Sequence, residues 1–324
     1  MQTAFVTGGT GFVGLNLVAQ LRQAGWKVIA IHRESSSTKR LEGLGAELRK
    51  AGLEDPSALA QAMPEEVDAV FHVAGDLSWS KLHAERQRRA NVDGTRHLVE
   101  AALLRKAKRF IHTSSVAAYG LGHALIDERT PSTAAESAVG YVRTKWLGQE
   151  EVRKGIQKGL SAVILNPSNI MGPYDTTGWA RLFRLLKEGK LPGVPPGIAS
   201  YCHVREVARA HIEAVTKGRT GEQYLLGGAD ATYVEVAAIV AELLGVKAPR
   251  PAPGLVLKTL GRINDWVSYL TREEPEITAA NAEFVCSRWR VDCSKAEKEL
   301  GFRRTTLREM VEDSFRWLER EKLI

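Results

Sequence analysis

Long apolar runs are missing from this chain of 324 residues. No stretch approaches the ~20 apolar residues of a membrane-crossing helix, so no membrane span is expected. A basic leader is missing too. An apolar strand pattern begins at Gln2, which argues against a signal peptide. Cysteine is scarce. The three present, Cys202, Cys286 and Cys293, are odd in number and lack metal-ligand spacing, so neither a disulfide framework nor a metal site is expected. Free thiols in a reducing, cytoplasmic setting account for them. Internal repeats and low-complexity tracts are lacking as well. Positive charge is in excess, formally +7, but it is not concentrated. The local group Arg86, Arg88 and Arg89 sits beside Glu85, as on a solvated helix face, and no nucleic-acid partner is expected. Part of the excess can attract a polyanionic ligand.

What is present is ordinary in composition, 44% hydrophobic and 26% charged, and longer than one average domain, so two lobes are expected. Apolar strand patterns alternate with amphipathic helices to about residue 166. The strands are Gln2–Thr7, Val28–Ile31, Ala46–Arg49, Ala69–Val73, Arg109–Thr113 and Ala162–Leu165, and the long helices are His83–Lys106 and Val139–Lys158. Such alternation predicts an α/β fold with a doubly wound parallel sheet and its ligand at the carboxyl ends of the strands. His203–Lys217 and Glu222–Leu226 read as one more helix-strand pair. The stretch Leu191–Gly197 reads as a Gly/Pro-rich loop, and 229–324 as short helices ending in the amphipathic Leu307–Arg320.

Two patterns carry chemistry. Glycines at 8, 11 and 14 follow the first strand directly and open a helix. That spacing lets the backbone approach a pyrophosphate at a helix N-terminus, a dinucleotide-binding signature. Tyr141 and Lys145 lie four apart on an expected helix and therefore share a face. A neighbouring ammonium is expected to lower the phenol pKa, fitting the tyrosine for proton transfer near neutral pH. Ser115 ends the fifth strand, where a hydroxyl can donate to a substrate carbonyl.

The stretches TGGTGFVG (7–14), VFHVAG (70–75), NVDGT (91–95), FIHTSSVAAYG (110–120), YVRTK (141–145) and LNPSNIMGP (165–173) stand in order along nearly the whole chain. In this the chain resembles the extended short-chain dehydrogenases/reductases (the NAD-dependent epimerase/dehydratase family). Its motifs are similar to the dihydroflavonol-4-reductase, cinnamoyl-CoA reductase and 3β-hydroxysteroid-dehydrogenase-like branch. The resemblance implies a Rossmann domain over 1–167 plus about 201–228, and a smaller, interleaved, mostly helical substrate lobe over about 168–200 plus 229–324. It implies catalysis by Ser115, Tyr141 and Lys145, with Ser115 preferred to Ser114 by its distance from Tyr119-Gly120. Asn91 matches a position linked to a proton-relay water, and capping of the following helix is an equal alternative.

The resemblance also implies a nicotinamide dinucleotide held by Gly8, Thr10, Gly11, Phe12, Val13 and Gly14. Leu53, then Val73, Ala74 and Gly75, then Tyr141 and Lys145 would add contacts, with Pro167, Ser168, Asn169 and Ile170 beside the carboxamide. After the second strand stand Arg33 and Arg40, with Lys39 beside them. Arginine there suits the 2′-phosphate of NADP(H), the cofactor favoured, whereas Glu34 leaves NAD(H) open. Gly52 stands where relatives carry an adenine-binding aspartate, so Leu53, backbone, Glu54 or Asp55 must serve instead.

The expected reaction is reduction of a ketone or aldehyde by hydride transfer. A sugar-nucleotide epimerase and a 3β-hydroxysteroid-dehydrogenase-like enzyme stay open. A dehydratase does not, because Val116-Ala117 replaces the Asp-Glu pair it needs. Around the substrate, a small carbonyl or alcohol compound, the segments Asp76–Ser80 with Trp79, Tyr174–Trp179 and Leu255–Leu270 with Trp266 are candidates. For the two tryptophans a packing role is the plainer reading. Relatives often dimerise through the helices here at 83–106 and 139–158, and Val92, Leu98, Val99 and Leu103 are available for such a homodimer contact or for the sheet.

Overall fold

The computed structural model describes every residue except Pro192, Glu273, Glu274 and Glu276, and the side chain of Tyr269. Pro192, within the expected 191–197 loop, thus lies outside the described residues. The first half runs β1 (Thr3–Thr7), α1 (Phe12–Gln23), β2 (Lys27–His32), α2 (Lys39–Gly43), β3 (Glu47–Lys50), α3 (Pro56–Ala62) and β4 (Ala69–His72). Next come α4 (Ala84–Arg88), α5 (Gly94–Leu104), β5 (Phe110–Thr113), β6 (Leu125–Ile126), α6 (Gly140–Gln157) and β7 (Ala162–Pro167). The second half continues with β8 (Asn169–Met171), α7 (Ala180–Lys187), β9 (Ile198–His203), α8 (Val204–Thr216), β10 (Gln223–Leu226), β11 (Ala229–Thr232) and α9 (Tyr233–Leu244). It ends with α10 (Gly254–Thr271), α11 (Ala279–Cys286), β12 (Arg290–Val291), α12 (Ser294–Leu300) and α13 (Leu307–Arg320).

Seven strands form the central sheet in the order β10-β7-β5-β4-β1-β2-β3, and every pairing in it is parallel. The strands are apolar throughout because helices cover both faces. One face carries Val6, Ala30, Phe71, Ile111 and Leu165 beneath α1 and α8. The other carries Phe5, Ile29, Val70, Phe110 and Ile164 beneath α3, α5 and α6. Burial of each such large side chain contributes up to about 1.5–3 kcal/mol. The strands and helices expected up to residue 226 are found, with ends moved by a residue or two, whereas 229–324, expected as mostly short helices, also holds β11, β12 and the 18-residue α10. The sheet order reverses between β1 and β4, and both point their carboxyl ends at the glycine turn, so the fold opens its crevice there.

A second core is built mainly by residues after Pro167, joined by Val116, Tyr119 and Ile126, while α8, β10 and α12 pack in the first. β8, β9 and β11 form a three-stranded sheet, and Phe183, Tyr201, Val236, Val240 and Trp317 pack with it. The elements there start where the sequence caps them. Thr232 and Glu235 form a capping box on α9, which ends at Gly245 in the left-handed region. Thr306 accepts from Glu309 N to start α13, whose Met310, Val311, Ser314, Trp317 and Leu318 recur at helical spacing on its inner side.

The expected helix 83–106 is a rod with a fault. Between α4 and α5, Arg89–Asp93 form a π-helical turn. The turn holds Asn91, whose carbonyl accepts from the Thr95 hydroxyl at 2.8 Å. Hydrophobic spacing locates the rod but carries no mark of the one widened turn. Most of the rod's apolar residues are inward: Leu98, Val99 and Leu103 pack in the core beneath the sheet and Val92 is buried, while Leu104 is exposed.

Candidate active site

The glycine turn is built by close approach. Gly8 has φ +70, and a Cβ on it would stand 2.5 Å from the Ala74 nitrogen. A Cβ on Gly14 would run into the Gly8 carbonyl. Only glycine fits either place. α1 then begins with no side-chain cap and no acidic residue in its first turn, leaving its N-terminal N–H groups and the positive end of its dipole for an anion. A pyrophosphate fits this cradle in shape and charge.

β4 ends beside the cradle. Ala74 N donates to Thr7 Oγ1 at 3.3 Å, and Thr7 Oγ1 also meets His72 Nδ1 at 2.8 Å. The other ring nitrogen of His72 meets Thr95 Oγ1 at 2.9 Å. Full burial, with the nearby Lys145 charge, holds the His72 pKa down at about 3, so this imidazole is a neutral strut between β1 and α5. His112 lies against it, ring centroids 5.2 Å apart, and burial depresses its pKa as well.

Asn91 does more than begin a helix. Its Oδ1 accepts from Asp76 N at 2.7 Å, and its Nδ2 donates to Asp76 O at 2.9 Å and to Thr144 Oγ1 at 3.2 Å. The side chain therefore ties the loop after β4 to α6, and it does not cap α5. Gly75 sits in the same corner, where a Cβ would lie 3.2 Å from both Asn91 Oδ1 and Lys145 Nζ.

Tyr141 and Lys145 share the inner face of α6 as their spacing requires. Lys145 is buried and donates to Thr113 O at 3.3 Å. Desolvation lowers its pKa from 10.5 to about 8. Burial raises the Tyr141 pKa, and a hydrogen bond with the Ser115 hydroxyl lowers it in part. The expectation of a lysine-depressed phenol is thus corrected: desolvation dominates, and Tyr141 stays protonated near neutral pH. The Ser115 hydroxyl also accepts from Ala117 N at 3.1 Å. Ser114 faces elsewhere. Gln149 Nε2 donates to Ser114 Oγ at 2.7 Å and to Asn166 Oδ1 at 2.6 Å. Of the two serines, Ser115 is the one that acts on the Tyr141 phenol, while Ser114 is held by Gln149.

Beside this group lies a cavity of about 220 Å³ lined by Val116, Ala117, Ile126, Phe284, Arg288 and Trp289, among others. Trp79 packs between Tyr141 and Phe284 with tilted rings, at centroid distances of 5.2 and 5.0 Å. Sequence reasoning missed Phe284 and Trp289, which reach the site through folding alone. Gln149 had a signal, eight residues after Tyr141 on the same helix face. The other substrate candidates are placed differently. Tyr174, with φ 72, lays its ring 5.4 Å from that of Trp317. Trp179 packs on Tyr201 and Tyr233, and Trp266 is 68% exposed on α10.

The basic residues after β2 also divide. Arg33 is exposed and has no side-chain partner among the described residues. Glu34 pairs with Lys50 at 2.8 Å. Arg40, by contrast, bonds Glu321 at 3.0 Å and lies over the Trp317 and Tyr174 rings, engaged with the C-terminal end of the chain. Asp55 Oδ1 caps α3 by accepting from Ala58 N. Leu53 O bonds His97 Nδ1. Among the described residues Ser168 Oγ is buried without a hydrogen-bond partner, while Asn169 Nδ2 donates to Ser200 O. Among the described residues no group of three or more His, Cys, Asp and Glu side chains could hold a metal.

Comparison with known proteins agrees with this geometry. The chain is 30% identical over 325 residues to a putative dihydroflavonol 4-reductase of Synechocystis sp., covering 97% of this chain and 94% of that protein. It is 31% identical over 249 residues to a 4-hydroxy-2-methyl-3-oxo-4-farnesyl-3,4-dihydroquinoline-1-oxide ketoreductase of Stigmatella aurantiaca, covering 75% and 74% of the two chains. The crystal structure of gox2253 superposes with a TM-score of 0.85 at 31% identity over 99% of each chain. Residues 4–227 match the NAD dependent epimerase/dehydratase family. With its parallel sheet and glycine cradle, the chain belongs to that family, as an NAD(P)-dependent enzyme of the short-chain dehydrogenase/reductase type.

Proposed function

We propose that this protein reduces a ketone or aldehyde to the alcohol with NADPH, through Ser115, Tyr141 and Lys145. The observation that carries the reading is the gathering of the Ser115 hydroxyl, Tyr141 and the buried Lys145 beside a cavity with mainly apolar walls. A nicotinamide, when bound, supplies the hydride. Ser115 donates to the substrate oxygen and polarises the carbonyl. Tyr141, kept protonated by burial, delivers its proton to that oxygen as negative charge develops. Lys145 is the residue that would hold the nicotinamide ribose, and its ammonium steadies the tyrosinate left behind. Asn91 fixes Asp76 and Thr144 around them, and a relay role for it is part of this proposal. Arg33, exposed and unpartnered, would meet the 2′-phosphate, whereas Glu34 is drawn to Lys50.

Val116, Ile126, Phe284 and Trp289 in the cavity wall favour an apolar carbonyl compound over a sugar nucleotide, whose hydroxyls need polar partners. The ketoreductase relative, by its name, acts on a farnesylated ring ketone, which is consistent with such a wall. The test is NADPH oxidation across a panel of hydrophobic ketones and aldehydes, with chemical identification of any nucleotide that co-purifies. Carbonyl-dependent oxidation of NADPH is the expected result. Firmly retained NAD with no carbonyl-dependent oxidation would point to the epimerase reading instead.

A further inference from the structure

The cavity beside Ser115 carries a cation in an otherwise apolar wall. Among the described residues that line it, Arg288 is the one permanently charged side chain, and no carboxylate stands with it. Val116, Ala117, Leu121, Ile126 and Phe284 supply much of the remaining surface. The Arg288 guanidinium has neither an ion pair nor a hydrogen bond among the described residues. Acids of the neighbouring segments are matched to other cations: Glu283 of α11 to Lys258 at 2.9 Å, and Asp230 of β11 to Arg290 at 3.8 Å.

The backbone around Arg288 is fixed. Ile198 N donates to Ser287 O at 3.0 Å, and Trp289 N donates to Ile198 O at 3.0 Å, so β9 pins the residues on both sides of it. The side chain is exposed and meets water as well as the cavity. A guanidinium held in this way suits a carboxylate, which its planar fork can meet with two parallel N–H···O bonds. Size argues against a larger anion. At about 220 Å³ the cavity falls below the roughly 300–1,000 Å³ of sites for drug-sized ligands, and a sugar nucleotide with its diphosphate is larger than its space.

We propose that Arg288 binds a carboxylate on the compound that fills this cavity. The substrate assignment rests on the reductase reading: the substrate class is then an oxo acid with an apolar body, its carbonyl at Ser115 and Tyr141 and its carboxylate at Arg288. The wall has two ends that match. Val116 and Ala117 follow Ser115 directly, whereas Arg288 comes from the stretch between α11 and β12. A neutral ketone of the same shape would leave the guanidinium to water.

Binding is measured apart from turnover. The full-length protein, with and without NADP⁺, would be titrated calorimetrically with octanoate, octanol and uridine diphosphate. Octanoate should bind about fivefold more tightly than octanol, as one partly exposed charge-assisted contact allows. Arg288→Gln should erase that preference, Arg288→Lys should keep part of it, and added salt should narrow it. Unchanged thermal melting would show that these variants fold. NADPH oxidation would then be followed with methyl-ketone carboxylic acids of increasing chain length, each against its methyl ester. The acids should show the higher kcat/KM, and Arg288→Gln should lower it more for acids than for esters. Three outcomes would each overturn the proposal: equal binding of octanoate and octanol, a preference that survives Arg288→Gln, or uridine diphosphate that displaces octanoate and loses its own binding in that variant. Octanoate bound through Arg288 with no NADPH oxidation from acids or esters would instead sink the reductase reading and leave the carboxylate seat in place. Acids and esters oxidising NADPH equally well would do the reverse.

Discussion

At Tyr141 two influences oppose each other, burial raising the phenol pKa and the Ser115 hydroxyl lowering it. The phenol that results is a donor, so Tyr141→Phe should cut turnover by at least ~10²-fold while NADPH titration stays close to wild type. Lys145→Met should damage both, because one ammonium serves both partners. If Tyr141→Phe turns over a confirmed carbonyl substrate at the wild-type rate, the assignment fails. The lysine also predicts a pH effect. Its pKa is lowered to about 8, so the ammonium is present below that value and is lost as pH rises through it. NADPH affinity of the free enzyme should fall across the same range. The stability contribution has the opposite sign. Between about 8 and 10.5 the unfolded chain binds a proton that the folded one does not, so this group favours folding more as pH rises. Cofactor titrations and urea melts on both sides of pH 8 would expose the two trends. A third residue-scale prediction concerns cofactor choice. Affinity for NADPH should exceed that for NADH by roughly tenfold or more, given charge-assisted hydrogen bonds of about 1.5–3 kcal/mol. Arg33→Ala should erase the difference and Arg40→Ala should not, since Glu321 and Trp317 hold Arg40. Fluorescence titration of both variants with both cofactors decides it.

Among the elements, the π turn between α4 and α5 is the one whose irregularity serves the site, because it turns Asn91 toward Asp76 and Thr144. Asn91→Ala leaves Asp76 N without its acceptor and should cost about 1–3 kcal/mol of stability, read from denaturant melts. A loss of turnover beyond what the reduced folded fraction explains would support the relay role, and an equal loss would assign Asn91 to structure alone. The start of α1 is as strict. Gly14→Ala has no room against the Gly8 carbonyl, so nucleotide binding should disappear while the remainder of the sheet folds, as calorimetry and circular dichroism together would show. The first helix was legible because its glycines and apolar spacing state the geometry outright. The widened turn was not, since nothing in the spacing of Asn91 and Thr95 marks the bond from the Thr95 hydroxyl to the Asn91 carbonyl.

Over the whole molecule, the C-terminal helix fastens the two cores together. Arg205 on α8 reaches Glu309 at 2.7 Å and Asp313 at 3.4 Å, and Arg40 reaches Glu321. These pairs are exposed enough that each contributes about 0–1 kcal/mol, and the buried Trp317 and Leu318 do more. The expected dimer face has also changed character. With Leu98 fully buried against the sheet, a hollow between α5 and α6 is lined by Arg96, Glu100, Glu151, Lys154 and Lys158, with Val99 and Gly155 at its floor. A dimer formed there would rest on charge, and raised salt should dissociate it. Sedimentation in low and high salt would reveal that dependence, and a salt-independent dimer would place the interface elsewhere.

By itself the sequence determined the parallel sheet, the nucleotide cradle and the face shared by Tyr141 and Lys145. Each is a local matter: period-2 and period-3.6 apolar spacing, glycines that alone fit a turn, and a four-residue interval on a helix. Only the tertiary structure decided that Ser114 is occupied elsewhere, because Gln149 and Asn166 draw it into a buried network. It alone decided that Arg40 pairs with Glu321, and that Phe284, 143 positions beyond Tyr141, joins the aromatic cluster through Trp79. It also reversed the sign expected for the tyrosine, since the ammonium's pull can be read from spacing but desolvation depends on everything that folds around the phenol.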